Sequence, residues 1–374
     1  MPPVKKPTTP FKNWFDAARY KQIAKELAAI EPRFNRKKFL ALTLDGLDQR
    51  ELMGRLRQTA IAAEAALPGT YRDKLKVLRV AVPIIKHGFV TVSFCDFVAR
   101  HGLDDFEHSL EMLKFLTPFG SAEFAVRPFI MRDPARALAI LQTWANDKNE
   151  HVRRLASEGS RPRLPWGARL AAIVKNPDLT APILETLKAD PTLYVRKSVA
   201  NHLNDIAKDH PEWVLDRVHA WDQSHAGTAW IARHALRTLI KKGNPRALAF
   251  LGADPHAAAH IKVQRFTVSP VKIVLGDSLQ LKAELISKAK KKFSLVIDYV
   301  IHYPKASGST SAKVFKWAEV SLPSGQSLTL TKRQIIRDFT IRKHHAGRHQ
   351  IELQINGHRL AKTDFNLSIT VKKR

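Results

Sequence analysis

The chain has 374 residues, enough for two or three domains with a sizeable hydrophobic core. Sixty-two Lys and Arg oppose 34 Asp and Glu, giving a formal net charge of +28 that attracts nucleic acid or an anionic membrane. No apolar run approaches the roughly 18 residues of a membrane span, and no secretory signal is expected at the N-terminus. The only cysteine, Cys95, excludes an intramolecular disulfide and a cysteine-built zinc site, so we expect a cytoplasmic protein.

Residues 1 to about 255 are predicted to be helical. Apolar residues recur at three- and four-residue spacing, the pattern of one buried helix face, in Phe11–Ile30, Asp48–Ala66, Phe106–Leu116 and Ala135–Asn146. Prolines separate these segments, as expected near helix starts and after helix ends.

Part of this helical region repeats at a spacing of about 43 residues. Asp133 and Asn176 each precede a proline that opens one helix, and a second helix follows in each unit. The second helices carry the related strings Val152-Arg153-Arg154 and Val195-Arg196-Lys197, and a looser third copy starts at His210. Two-helix units of this period are typical of HEAT-like solenoids. Stacking would align the basic pairs into a stripe; the alternative is solvated charge on exposed helix faces.

The segment Glu150–Trp166 combines four arginines, two carboxylates and a tryptophan. Its first half is predicted to be a helix with Val152 and Leu155 on the buried side. Its second half cannot be regular helix, because Gly159 permits unusual backbone angles and Pro162 and Pro165 remove amide donors. We therefore expect a stiff cationic turn that displays Trp166 to a polyanion.

From about Asp254 the pattern changes to short alternating runs rich in Val, Ile, Thr and Phe. About seven strands are predicted, at Lys262–Val268, Ser278–Ser287, Phe293–His302, Ala312–Leu322, Ser327–Ile336, Gly347–Ile355 and Lys362–Val371. The predicted fold class is mainly α, with a HEAT-like α-solenoid at residues 1–258 and an all-β, immunoglobulin-like sandwich at residues 259–374. Basic residues at strand ends and loops of the sandwich predict contact with a nucleic-acid backbone, or alternatively provide solubilising charge: Lys288, Lys290, Lys291, Lys292, Arg342, Lys343 and Arg348.

Two histidine pairs, His256 with His260 and His344 with His345, have no Cys or Glu at a zinc-protease spacing, so no metal site is predicted. A phosphate-cradling glycine loop and a G-x-S-x-G elbow are also absent from the sequence, which gives nucleotide hydrolysis and esterase chemistry no support.

The string H-V-R-R-L-A-S-E-G-S-R-P-R-L-P-W at residues 151–166, the phrase G-S-A-E-F-A-V-R-P-F-I at residues 120–130 and the surrounding repeats resemble the bacterial DNA alkylation-repair glycosylases of the AlkC type, within the AlkC/AlkD superfamily. The resemblance covers essentially the whole helical part, and some members carry a C-terminal immunoglobulin-like domain. It implies excision of cationic N-alkylated bases, chiefly 3-methylcytosine and 3-methyladenine, from double-stranded DNA in base excision repair. It also implies hydrolysis of the N-glycosidic bond without full base flipping and without a cofactor.

Three acidic residues match the active-site positions of that family: Glu123, Glu158 and Asp205. We expect Glu158 and Asp205 to face the deoxyribose and help place the attacking water, with Glu123 supporting the cleft. The alternatives are a Glu158–Arg161 ion pair, a surface or capping role for Glu123, and a salt bridge from Asp205 to Lys208 or Arg196.

Trp166 is predicted to press on the nucleotide or the sugar–phosphate edge, with a role as core filler as the alternative. The residues predicted to contact phosphates are Arg153, Arg154, Arg161, Arg163, Arg196 and Lys197. The leading hypothesis is a monofunctional, monomeric DNA glycosylase, because no lysine is placed by motif for Schiff-base chemistry. The alternatives are a non-catalytic HEAT-repeat protein that binds bent or branched DNA, and a protein-interaction scaffold.

Overall fold

The computed structural model describes residues 10–338 and 343–369. The chain packs as two compact units, one with residues up to His210 together with Trp221–Ala235, the other with Pro211–Ala220 and the residues from Leu236 onward. Arg342 and the end of the strand predicted at Lys362–Val371 lie outside the described residues. Within the described ranges, no helix is both long and apolar enough to cross a membrane.

The helices begin close to the N-terminal end of the described chain and continue to the first strand. Short 3-10 helices lie at Phe11–Trp14, Pro177–Thr180 and Pro255–His260. The α-helices are α1 Ala17–Ile30, α2 Arg36–Leu44, α3 Leu52–Ala66, α4 Tyr71–Ile85, α5 Val92–His101, α6 Phe106–Leu116, α7 Arg127–Arg132, α8 Pro134–Trp144, α9 Glu150–Gly159, α10 Ala171–Lys175, α11 Ala181–Leu187, α12 Leu193–Ile206, α13 Pro211–Ala220, α14 Ala226–Ala235, α15 Arg237–Lys241 and α16 Pro245–Ala249.

The observed helix starts are set by local capping hydrogen bonds, which hydrophobic periodicity alone does not predict. The helix predicted from Phe11 is instead a 3-10 turn followed by α1, because the Asp16 side chain accepts a hydrogen bond from the Arg19 amide and caps a new helix start. Likewise Asp133 caps α8 through the Arg136 amide, directly before Pro134. The predicted segment Phe106–Leu116 coincides with α6.

The predicted repeat is present as helix pairs, α8 with α9 and α11 with α12, and the third copy forms α13 and α14. Arg153 donates through Nη1 to the carbonyl oxygens of Asp147 and Lys148, at 3.0 and 3.1 Å. Arg196 repeats this contact with the carbonyl oxygens of Asp190 and Pro191, both at 2.8 Å. The first member of each basic pair therefore stabilises the loop that precedes its own helix.

The second unit contains a largely antiparallel β-sandwich. Its strands are β1 Ile261–Ser269, β2 Lys272–Val274, β3 Ser278–Ser287, β4 Phe293–Pro304, β5 Thr310–Leu322, β6 Ser327–Ile335, β7 Gly347–Ile355 and β8 His358–Ser368. They form one sheet in the order β1-β3-β6 and a second in the order β2-β8-β7-β4-β5. Ala283 and Leu285 on one sheet are buried in a common core with Ile297 and Leu353 on the other. The three-residue β2, which pairs in parallel with β8, is too short to show an alternating pattern in the sequence.

The last helical turn ends at His260 and β1 begins at Ile261, beside the division proposed between residues 258 and 259. By packing, however, α13, α15 and α16 belong to the same compact unit as the strands. The change of secondary structure and the boundary of the packed units therefore fall at different places in the chain, and the two predicted domains remain a proposal.

Candidate active site

Two helices carry the central acidic residues at their C-terminal ends. Glu158 is the penultimate residue of α9, and Asp205 is the penultimate residue of α12. Both are buried, with 6% and 3% of their surface exposed. A carboxylate at the C-terminal end of a helix faces unpaired carbonyls and the negative end of the helix dipole, so each needs a cation nearby.

Arg161 supplies that cation to both residues. Its Nη1 lies 2.5 Å from Oε1 of Glu158, while its Nε and Nη2 lie 2.9 and 2.7 Å from Oδ2 of Asp205. Arg161 is itself buried, with 7% exposed. The structure thus brings together the two residues that the sequence analysis expects at the deoxyribose, and it joins them through one guanidinium.

The remaining oxygens of the two carboxylates are also engaged. Ser198 donates to Oε2 of Glu158 at 2.6 Å, and Lys208 donates to Oδ1 of Asp205 at 2.8 Å. The Lys208 side chain is 43% exposed, so this contact lies at the open side of the cluster. The pairs considered as alternatives, Glu158 with Arg161 and Asp205 with Lys208, are both formed, and they are part of the cluster.

Glu123, in the loop between α6 and α7, joins the cluster through Arg154. Nη1 of Arg154 lies 2.5 Å from Oε2 of Glu123, and Nη2 lies 3.6 Å from Oε1 of Glu158. Ser121 donates to Glu123 at 2.8 Å. The guanidinium of Arg154 also lies over the ring of Tyr194, 5.3 Å from its centroid. Glu123 is therefore neither an isolated surface residue nor a helix cap.

The charges within this cluster balance one another. The carboxylates of Glu123, Glu158 and Asp205 contact the side chains of Arg154, Arg161 and Lys208. Burial disfavours the charge on Arg161, but the neighbouring carboxylates outweigh it and raise the pKa of its guanidinium. The same competition raises the pKa of Arg154. Fixed full charges are thus concentrated where little water reaches them, which strengthens their mutual interaction.

A histidine lies buried behind the cluster. Burial, together with the nearby charge of Arg161, lowers the pKa of His202 to about 3, so its imidazole is neutral at neutral pH. Its Nδ1 lies 3.0 Å from the Ser157 carbonyl oxygen, and Nδ1 must carry the proton because a carbonyl can only accept.

The turn after α9 displays Trp166 as predicted, although by a different backbone device. Trp166 is 70% exposed and has a φ of +66°, a conformation that costs a non-glycine residue of order 1 kcal/mol. Gly159 continues the helix without a positive φ; its Cβ would collide with the Val126 side chain. The glycine is there for close packing, and the strained position is the exposed tryptophan.

The residues predicted to bind phosphates have different environments in the free protein. Arg153 pairs with Asp190 at 2.6 Å, and Arg163 makes a two-pronged pair with Asp209 at 2.9 and 2.7 Å. Arg196 is occupied by loop carbonyls, whereas Lys197 is exposed. Together with the buried positions of Arg154 and Arg161, these contacts make Lys197 and Arg163 the more accessible candidates, and the phosphate role of the set remains a prediction.

Sequence reasoning missed Arg127, Ser198 and His202. Arg127 stands within the quoted phrase at residues 120–130, but nothing in a single sequence distinguishes a buried arginine from a surface one. Ser198 and His202 lie on the same helix as Asp205 and face Glu158 and the end of α9. Among the described residues, no group of three or more His, Cys, Asp or Glu side chains is arranged to hold a metal ion.

Comparison with known proteins identifies the family of the chain. A family model described as DNA alkylation repair enzyme matches residues 99–239, and a model described as the C-terminal Ig-like domain of the uncharacterised protein YhaZ matches residues 262–369. The uncharacterized protein YhaZ of Bacillus subtilis (strain 168) is 40% identical over 347 residues, which cover 92% of this chain and 96% of that protein.

Among solved structures, the alkylpurine DNA glycosylase AlkC of Pseudomonas fluorescens, bound to DNA containing an abasic site analog, matches with a TM-score of 0.92 and 47% identity. The match covers 96% of this chain and 100% of that chain. A fold this similar over both regions defines a DNA-repair enzyme with an immunoglobulin-like C-terminal domain. The chain belongs to the AlkC-type family of DNA alkylation-repair glycosylases, which confirms the resemblance and the fold class predicted from the sequence.

Proposed function

We propose that this protein is a monofunctional DNA glycosylase that hydrolyses the N-glycosidic bond of cationic N-alkylated bases, 3-methylcytosine and 3-methyladenine, in double-stranded DNA. The observation that carries the proposal is the convergence of Glu158 and Asp205 on one buried guanidinium, with Glu123 attached through Arg154. A protein that only binds DNA gains nothing from three anions near phosphates, so the cluster favours catalysis over non-catalytic binding.

The chemistry follows from the charge of the lesion. A base alkylated on a ring nitrogen is already positive, so it departs as a neutral molecule and needs no protonation by the enzyme. The deoxyribose then carries the developing positive charge, as in glycoside hydrolysis. Carboxylates fixed in a partly dry site stabilise that charge, because they do not have to reorganise during the reaction.

The cluster also provides a place for the attacking water. Ion pairing leaves acceptor capacity on Asp205, since a carboxylate has about four lone-pair sites. Lys208 is the most exposed cation of the cluster, and it holds Oδ1 of Asp205. If Lys208 moves to a DNA phosphate, that oxygen becomes free to accept the proton of a water that attacks the sugar. We assign Asp205 and Glu158 to the sugar and the water, and Glu123 to support of the cleft.

DNA binding would combine electrostatic attraction with contact by Trp166. The Trp166 ring is exposed and the chain is strongly basic. The structure of the Pseudomonas fluorescens relative was determined with bound DNA. A methyl group on the pairing edge weakens the base pair, so deforming the duplex costs less at the lesion. Recognition of this kind needs no complete extrusion of the base. We propose that the protein works as a monomer, without a cofactor, in the bacterial cytoplasm where the DNA lies.

The test is a duplex with a single 3-methylcytosine or 3-methyladenine, compared with an otherwise identical duplex carrying uracil or O6-methylguanine, which are neutral. We expect release of the free methylated base, an alkali-sensitive abasic site, and no borohydride-trapped protein–DNA adduct. Tight DNA binding by the wild type without base release would refute the enzyme. Equal release of neutral lesions would refute selection by charge.

A further inference from the structure

We propose that Arg127 is a positioning residue for the glycosylase reaction, fixing the turn between Gly159 and Ala168 and thereby the placement of Glu158, Arg161 and Trp166. The inference rests on the proposed function, and it adds a residue that makes none of the contacts assigned there to DNA, water or the sugar.

The Arg127 side chain donates hydrogen bonds to main-chain carbonyls of this turn. Its Nη1 donates to the carbonyl oxygens of Gly159 and Arg161, at 2.9 and 2.8 Å, and its Nε donates to the carbonyl oxygen of Ala168 at 2.8 Å. Nη2 donates to the same Ala168 oxygen. One side chain at the start of α7 therefore spans both ends of the turn that presents Trp166.

These contacts satisfy backbone carbonyls that the end of α9 leaves without a partner in the helix. The last carbonyls of a helix have no partner within it, and α9 ends among buried groups. Arg127 takes the Gly159 carbonyl, and His202 takes the neighbouring Ser157 carbonyl. A cation at the end of α9 also offsets the helix dipole. Glu158, which lies between these two carbonyls in the chain, is held on both sides.

A buried positive charge is unusual in a side chain that binds main-chain carbonyls. The residue is only 1% exposed, and among the ion pairs of the described residues none includes it. Burial, reinforced by the charge of Arg161, lowers the pKa of Arg127 to about 10, which still leaves it protonated at neutral pH. The same three carboxylates that form the cluster act on it at a distance, favouring its charge. Arg127 therefore adds a positive charge to the surroundings of the cluster.

Gly167 completes the arrangement. A Cβ at this position would lie 3.1 Å from Nε and 3.2 Å from Cδ of Arg127, closer than side chains normally pack. At the position directly after Trp166, a side chain larger than that of glycine would therefore press on Arg127. Gly167→Ala provides a way to displace the turn from Arg127 while the charge stays in place.

The experiment measures single-turnover excision, DNA affinity and thermal unfolding for Arg127→Lys, Arg127→Met, Arg127→Ala and Gly167→Ala, alongside the wild type. We expect Arg127→Lys, which keeps the charge but cannot span the turn, to slow excision by about 100-fold, the order of effect of a misplacement near 1 Å. Affinity for undamaged duplex should change far less. Gly167→Ala should show the same separation of rate from affinity with a smaller loss.

Two further readouts separate positioning from general support of the fold. Millimolar guanidinium should restore excision to Arg127→Ala by about 10-fold or more, since it fills the vacated site, whereas an equal concentration of sodium chloride should not. In Arg127→Met, where a side chain of similar length still fills the site, guanidinium should restore little activity.

An Arg127→Lys variant with the wild-type rate would overturn the proposal. So would a loss of rate matched by equal losses of affinity and melting temperature, with no rescue by guanidinium. Failure of the proposed function has a different signature, since the wild type itself would then release no base in the parallel reaction.

Discussion

The two consecutive repeats built from α8 with α9 and from α11 with α12 share a scaffold but differ in chemistry. In each, an arginine donates to the carbonyls five and six positions before it, as seen for Arg153 and Arg196. In each, an aspartate ahead of the second helix takes a cation from an earlier element: Asp147 pairs with Lys114, and Asp190 with Arg153. What recurs in the sequence is therefore the part that stacks one repeat on the next.

The two repeats differ at the residue that directly follows this arginine. Arg154 reaches Glu123 and Glu158, while its counterpart Lys197 is exposed. The positions equivalent to Glu158 and Arg161 hold Asn201 and Asn204. Departure from the repeat thus marks the candidate site, and recurrence marks the framework. This distinction can be tested by changing residues of each kind.

The largest expected effect is on Asp205, which belongs to the candidate site. Asp205→Asn keeps the shape and removes the charge that would stabilise the sugar cation, so excision should fall by about 100- to 1,000-fold. Single-turnover release of 3-methyladenine measures the rate, and a binding assay on abasic-analog DNA shows that affinity survives. Asp209→Asn is the matched control, because Asp209 pairs with Arg163 near the surface and should retain most activity. A parallel collapse of binding and excision would make Asp205 structural.

Trp166 comes next, as the strained and exposed residue of the turn. If its ring stacks on the nucleotide, Trp166→Ala loses about 1–3 kcal/mol of lesion binding, whereas Trp166→Phe keeps most of it. Competition between alkylated and undamaged duplexes gives the discrimination ratio for each variant. Equal losses on both duplexes would leave Trp166 a general DNA contact with no part in choosing the lesion.

The neighbouring basic residues Arg196 and Lys197 test the comparison within one repeat. Arg196→Met removes two charge-assisted hydrogen bonds to carbonyls and should lower the unfolding free energy by about 2 kcal/mol. Lys197→Met should leave stability within about 0.5 kcal/mol. If Lys197 contacts a phosphate, the same variant reduces the slope of log affinity against log salt by about one. Urea unfolding measures the stability of both variants, and salt titration of DNA binding measures their slopes. A stability loss in Lys197→Met with a changed salt slope in Arg196→Met would contradict the division into scaffold and site.

The sequence predicts most of the fold because the fold is patterned locally. Alternation in Ser278–Ser287 and Gly347–Ile355 gives β3 and β7 with the observed bounds, since a half-buried strand repeats every two residues. The helix start at Ala17 depends on one capping hydrogen bond from Asp16, which periodicity does not detect.

The site is less accessible to such reasoning. The family motif supplies Glu158 and Asp205, but the guanidinium that joins them is visible only after α9 and α12 are packed together. Residue type alone would place a positive φ at Gly159, whereas the structure has the positive φ at Trp166. Pairwise geometry between residues distant in the chain is what a single sequence lacks.

The smallest expected effect concerns His202, which stands where the preceding repeat has Gly159. Burial lowers the pKa of His202 to about 3 from an unfolded value of 6.5, so the folded protein binds fewer protons than the unfolded chain between these limits. The stability that depends on the neutral imidazole is complete above pH 6.5 and is lost as the pH falls towards 3.

Between pH 7 and pH 6 this one group should therefore cost about 0.7 kcal/mol of unfolding free energy. His202→Asn abolishes the titration while its amide can still donate to the Ser157 carbonyl. Because the pKa values of His87, His101 and His349 are lowered as well, chiefly by burial, the wild type must be compared with the variant at both pH values. An equal pH dependence in the two proteins would mean that His202 reaches water, and its buried position behind the carboxylate cluster would then be wrong.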